Sequence, residues 1–168
     1  LSGEDLDNRQ ISTFVDISAI APGVNVAKNE GFKTVITIRG VGYETNQNAI
    51  ATPSVSYHLD GIYVASPYSL QTDFLDLERV EVLRGPQGTL FGQNSTGGAM
   101  NVITAAPSTD EAFGSADLTL GDHGLTKLRA VINTPLNDKA AVRASFISNK
   151  RDGFTDNLTN GQDLDDAD

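Results

Sequence analysis

Residues 76–104 read DLERVEVLRGPQGTLFGQNSTGGAMNVIT. Glu78–Arg84 (ERVEVLR) alternates apolar and charged side chains, the pattern of a half-buried strand with Val80 and Val82 on its core side. Gly85-Pro86 breaks that strand. Gln87–Phe91 has the length of one short helix, and Asn101–Thr104 reads as a further strand. Gly85, Gly88, Gly97 and Gly98 mark places where the backbone needs positive φ or close approach to a neighbour. Just upstream, Leu75–Leu77 is read as one helical turn.

Toward the N-terminus, Ser2 to Asp5 and Thr13 to Asp16 match capping boxes. Ile11, Phe14, Ile17 and Ala21 fall at helical spacing, so short helices are expected near 3–9 and 13–20, the second stopped by Pro22-Gly23. Lys33–Arg39 (KTVITIR) is β-branched and reads as a strand ending at Gly40. Val55–Leu59 and Ile62–Ala65 flank Asp60-Gly61, a strong two-residue hairpin signal. That turn would pair Leu59 with Ile62 on one face and set His58 and Tyr63 together on the other. Intermingled helices and strands over this length point to an α+β domain.

Beyond Pro107 the texture changes. Phe113–Leu120, Leu125–Thr134 and Ala140–Lys150 alternate with period two, joined by turns at Gly121–Gly124 and Pro135–Lys139. Leu128, Ala130 and Ile132 lie opposite Lys127, Arg129 and Asn133, while Val142, Ala144 and Phe146 lie opposite Arg143 and Ser145. Alternation alone fits an ordinary antiparallel meander with one solvated face. It also fits membrane-spanning strands, which need about 9–11 residues each. Asp152–Asp168 carries six Asp and no Lys or Arg and reads as a solvated loop.

The motif order resembles that of TonB-dependent outer-membrane receptors. Glu78–Pro86, Leu90–Gly92 and Gly97–Thr104 are similar to the family's E-R-[IV]-E-V-x-R-G-P strand, L-[YF]-G loop and G-G-x-[IMV]-N-[IV]-I-T strand. Upstream and in the same order, Asp16–Val24, Ile36–Gly40 and Val55–Val64 resemble its P-G-V helix end, I-x-I-R-G strand and D-G hairpin. The resemblance implies a plug domain over 1–107 with a small mixed β-sheet and short helices. Residues 108–168 would then supply about three antiparallel strands of an incomplete transmembrane β-barrel and the start of an extracellular loop. Barrels of this kind have about 22 strands. The ends look cut: no TonB-engaging motif precedes the plug, and the chain stops on Asp168 rather than an aromatic residue.

The family pattern implies that Arg39 and Arg84 lock plug to barrel by gripping glutamates on later strands. An Arg that merely finishes its strand in solvent is the alternative. Gly40, Asp60, Gly61, Gly85, Pro86, Gly88, Gly97 and Gly98 would form signature turns. Tyr43, Asn46, Gln47, Asn48, Tyr68 and Gln71, in two polar loops, are ligand-binding candidates; solvated turns are the plainer reading of both loops. Implied partners are TonB with ExbB and ExbD, an extracellular nutrient such as a metal chelate, and outer-membrane lipid.

Composition narrows the alternatives. The 168 residues are 39% hydrophobic, enough for a core. The net charge of −10 disfavours a nucleic-acid phosphate backbone as partner. Cys is absent, so there is no disulfide framework or thiolate site. Gly92–Gly97 has a phosphate-loop gap, but Gly98 and Ala99 stand where Lys and Ser or Thr belong. A calcium-loop-like run from Asp156 fails at Leu158 and Ala167. His58 and His123 are far apart, without a zinc-ligand pattern. No enzyme, cofactor or resident metal is expected. Besides a ligand-gated importer at the outer membrane, two readings stay open: a soluble periplasmic or secreted binding module without a barrel, and an acidic structural or adhesive β-domain.

Overall fold

The computed structural model of the chain describes residues 1–29, 33–42, 53–66, 70, 73–153, 155–156 and 163–164. It divides into two units, Leu1–Ala105 and Ala106–Asp168.

In the first unit, α1 (Gly3–Asn8) starts from a formed capping box: the Asp5 N–H donates to Ser2 Oγ at 3.1 Å, and Ser2 Oγ donates to Asp5 Oδ2 at 2.7 Å. These bonds hold the Asp5 carboxyl below its ordinary pKa. The second box works in reverse. Asp16 Oδ2 reaches back to accept from the Ser12 and Thr13 N–H groups at 3.1 and 2.9 Å, and α2 is confined to Ile17–Ile20. Residues 13–16 form turns ahead of that helix rather than its first turn, because their side-chain bonds go to Asp16.

Two small sheets follow. The first is antiparallel, β1 (Val24–Asn29), β2 (Lys33–Ile38) and β3 (Val41–Gly42), in the order β1-β2-β3. Neither β1 nor the return to β3 is expected from sequence: Pro22-Gly23 reads as a helix stop, and Gly40 as a strand end. The second sheet is mixed, in the order β5-β4-β7-β6, from β4 (Val55–Leu59), β5 (Ile62–Tyr63), β6 (Leu77–Arg84) and β7 (Gly98–Thr104). Here β7 is parallel to β4 and antiparallel to β6. Residues 75–77 are not helical. Asp76 has φ 54°, and Leu77 already pairs with Thr104. A single-turn α3 (Gly88–Phe91) sits in the β6–β7 connection.

The core of this unit lies between the helices and one face of the sheets. Phe14, 2% exposed, places its ring edge-on to Tyr57 and Phe74, with centroids 5.1 and 4.7 Å away. Ile17, Val80, Met100 and Val102 pack into the same cluster. Burying one such side chain contributes about 1.5–3 kcal/mol, and each aromatic pair about 0.5–1.5 more.

The second unit is a three-stranded antiparallel ribbon, β8 (Phe113–Leu120), β9 (Thr126–Asn137) and β10 (Ala140–Lys150), in the order β10-β9-β8. Thr155–Asp156 and Asp163–Leu164 pair as a separate short ladder, β11 with β12. The register aligns Leu118 with Leu128, Ala116 with Ala130 and Phe146, and Ile132 with Ala144 on one face. Asp117, Lys127, Arg129, Asn133 and Arg143 occupy the other. The expected turn at Pro135–Lys139 is shorter: β9 runs through Pro135 to Asn137 and turns at Asp138-Lys139. Pro135 is tolerated because the ladder shifts register beside its partner Ala141, a bulge that removes the need for its missing N–H.

The two units differ in where apolar side chains go. Every buried hydrophobic side chain among the described residues belongs to the first. On the ribbon, Leu118, Ile132, Val142 and Phe146 are 62, 57, 52 and 56% exposed. No helix among the described residues is long and apolar enough to cross a membrane, which says nothing about strands.

Candidate functional site: the arginine corner of the first unit

Arg39 and Arg84 are distant in sequence and meet at Pro22-Gly23. Ile38 pairs with Val41, so Arg39-Gly40 is the two-residue loop of the β2–β3 hairpin, with φ 53° and 76°. Positive φ at both positions is the geometry of a type I′ turn. Glycine adopts it freely, whereas Arg39 carries a cost of order 1 kcal/mol. The turn is fastened by the Arg39 N–H, which donates to Gly23 O at 2.6 Å. Arg84 ends β6, and its Nη2 donates to Pro22 O at 2.9 Å.

Gly97 and Gly98 let the two sheets approach at this corner. A Cβ on Gly97 would lie 2.8 Å from Val41 Cγ1. One on Gly98 would press on Leu83 O and lie 2.8 Å from Ile38 Cδ1, at φ 149°. Gly98 also pairs with Arg84 across the ladder, so the hairpin tip bearing Arg39 rests beside the strand end bearing Arg84. Gly85 (φ 87°) closes the turn by donating its N–H to Gly97 O at 3.1 Å, ahead of Pro86 and the Gly88 start of α3.

Both arginines are exposed. Arg79 pairs with Glu78 and Glu81, whereas neither corner arginine has a carboxylate partner among the described residues. Arg84 commits one donor of its planar fork to Pro22 O, and the side chain is otherwise exposed. Such a fork takes a carboxylate bidentately and stays charged at any working pH.

At the far end of the mixed sheet, Asp60-Gly61 forms the expected hairpin turn, with φ 50° and 78° and with Leu59 opposite Ile62. The Asp60 carboxylate does more than favour the turn. Oδ1 accepts the Thr104 N–H at 2.8 Å and Oδ2 accepts Thr104 Oγ1 at 3.0 Å. Beneath it, Tyr57 is pushed up to about 12, by burial first and the Asp60 charge second.

The sheet's other face carries a polar row of which the sequence shows only the His58–Tyr63 pair: Tyr63, His58, Asn101 and Glu81 stand in register across β5, β4, β7 and β6. Asn101 Nδ2 donates to Glu81 Oε2 at 3.1 Å, and Arg79 Nε to Glu81 Oε1 at 2.7 Å. The Arg79 and then the Asn101 hydrogen bonds hold the Glu81 carboxyl below its ordinary range. His58 is buried against Phe91 and Tyr63, with Nε2 3.2 Å from Ser56 Oγ. Burial holds its imidazole below the usual value, a shift partly offset by the Gly61 backbone. The ligand candidates Tyr43, Asn46, Gln47, Asn48, Tyr68 and Gln71 lie outside the described residues; Leu70, in the second loop, is buried in the core.

The TonB-dependent Receptor Plug Domain family matches residues 1–99. The chain belongs to that family. Its corner, hairpins and core are therefore those of a plug domain. Over 112 residues it is 32% identical to the pesticin receptor of Yersinia pestis, covering 65% of this chain and 16% of that protein. It is 28% identical over 170 residues to the ferric enterobactin receptor PirA of Pseudomonas aeruginosa, covering 90% of this chain and 23% of that receptor. The crystal structure of the ferric yersiniabactin uptake receptor FyuA from Yersinia pestis superposes with a TM-score of 0.84 at 24% identity, covering the whole of this chain and 26% of that one. The fold is thus shared with these receptors, and the chain spans about a sixth to a quarter of their length.

Proposed function

We propose that this chain is the gate and first barrel strands of an outer-membrane importer. It would admit a scarce nutrient of the ferric-siderophore kind to the periplasm, using energy delivered through TonB, ExbB and ExbD. The observation that carries the reading is the reversal of apolar placement after the plug. Among the described residues, 1–107 gather a buried apolar core, whereas 108–168 begin a ribbon whose apolar side chains stay exposed. An outward apolar face suits lipid, and its polar opposite face suits a filled lumen. Three strands alone leave unpaired edges, which hydrocarbon does not tolerate, so the ribbon requires further strands to close.

In this reading the plug blocks the lumen, and TonB engages a segment outside this sequence. Arg39 and Arg84 grip carboxylates on barrel strands that also lie outside it. The two polar loops meet the nutrient. Pairing through exchangeable hydrogen bonds and water, rather than apolar contact, lets the plug shift without tearing a dry interface.

The test is deletion of the gene in its host, followed by growth and radiolabelled-iron uptake with a panel of ferric siderophores, and by uptake of other large nutrients. Loss of uptake of one nutrient, restored by the intact gene, supports the proposal. Recovery of the protein in the soluble periplasmic or secreted fraction, with every uptake intact, refutes it and favours the soluble binding module.

A further inference from the structure

Between β7 and β8 the chain is held at both ends by side chains. On the plug side, Asp60 grips Thr104 through its N–H and its hydroxyl at 2.8 and 3.0 Å. The next residue, Ala105, donates its N–H to Asp76 O at 2.9 Å. On the ribbon side, Asn133 of β9 holds the incoming segment with three bonds. Its Oδ1 accepts the Ser108 N–H at 2.9 Å, and its Nδ2 donates to Ser108 O and Glu111 O at 2.9 and 2.8 Å. Asn133 is 1% exposed, and among the described residues it is the one buried polar side chain of the second unit. A buried amide satisfied at both ends by main-chain groups resists release, since each group freed without a new partner is costly.

We infer that Asp60 and Asn133 act as paired clamps that shorten the tether between plug and barrel wall to the Ala106-Pro107 hinge. Proline has a fixed φ and no N–H, and it restricts the residue before it, so this hinge has few conformations. With both clamps closed, Ala105 and Ser108 are three residues apart and remain within about 10 Å of each other in any conformation. With both open, and the Ala105 N–H released from Asp76 O as the Asp60 end frays, the tether runs from Thr104 to Phe113, nine residues, and reaches about 30 Å. That length compares with the ~30 Å hydrocarbon core of a bilayer. Closed clamps therefore confine any movement of the plug's β7 end to a fraction of the membrane thickness, and larger travel requires a clamp to open. The consequence for transport rests on the importer reading, whereas the clamps themselves do not.

Amide hydrogen exchange on the complete purified receptor tests this at residue resolution. In the wild type, Thr104 and Ser108 should be protected. Asn133→Ala should speed Ser108 exchange by about tenfold or more, with the β8–β9 ladder unchanged. Asp60→Gly, which keeps the positive-φ turn, should do the same at Thr104 alone. Asn133→Leu keeps side-chain bulk while removing both the acceptor of the Ser108 N–H and the donor to Ser108 O and Glu111 O. It should free Ser108 as alanine does, so the test survives if the alanine variant fails to fold. Wild-type exchange at Ser108 in either Asn133 variant overturns the inference. So does loss of protection spread through the whole ribbon in both variants. Exchange is read without transport, so a receptor that imports nothing would sink the importer reading and leave this result standing.

Discussion

Phe146→Arg distinguishes a membrane wall from a soluble meander by the size of its effect. Phe146 stands next to the middle of β10, six residues from Ala140 and four from Lys150, in the row with Ala130 and Ala116. At about 3.4 Å per residue and a tilt near 45°, the 11 residues of β10 span roughly 26 Å, close to the ~25 Å apolar band of such barrels. Phe146 would then sit near the bilayer midplane, where Arg on a lipid-facing position costs about 2–4 kcal/mol. That corresponds to a fall of roughly 30- to 900-fold in the folding equilibrium. Ser145→Arg, one residue away on the polar face beside Arg143, should change stability by under about 1 kcal/mol, as lumen substitutions do. Denaturant unfolding of the complete receptor in lipid vesicles, followed by the mobility shift of folded barrels, measures both. Phe146 is 56% exposed in the ribbon alone, so in water the same Arg would be neutral. A Phe146→Arg receptor within ~0.5 kcal/mol of wild type, about the spread of ordinary surface substitutions, or an equal penalty at Ser145, refutes the lipid-facing assignment.

Three further outcomes are expected. Arg39→Gly relieves the strained turn and should raise plug stability by up to about 1 kcal/mol while weakening retention of the plug, read as increased entry of large antibiotics; a destabilised plug with unaltered entry would contradict both effects. His58 in the folded plug resists protonation, whereas the unfolded chain takes up a proton near 6.5. The unfolded state then binds more protons as pH falls below that value, so stability should decline there; unfolding of wild type and His58→Gln at about pH 7.5 and 5 checks whether the variant loses that slope. Met100→Ala empties a fully buried site and should cost about 2–5 kcal/mol, measured as the shift in unfolding midpoint.

What the sequence makes legible is local. Asp60-Gly61 announces its turn because Asp and Gly both tolerate positive φ, and the alternation of β8–β10 survives because side-chain period does not depend on partners. Arg39-Gly40 hides an equivalent turn, since Arg gives no local sign of adopting φ 53°, and with it the strand β3. The helix expected at 75–77 fails for a long-range reason: Leu77 is taken by Thr104. At the corner, the motif singles out both arginines, but the carbonyls of Pro22 and Gly23 that receive them are visible only once the sheets meet. Asn133 looks like one more polar position on an alternating strand; period assigns its side of the sheet and not the backbone segment it holds.

The central place of β7 sets an order of assembly. It lies between β4 and β6 yet is made after both, so neither gains its main partner until Gly98–Thr104 has been synthesised. Pairings of such long sequence separation form slowly. The plug's mixed sheet is therefore completed only when its last strand has been made, and until then the strands on either side of the gap lack the partner that joins them.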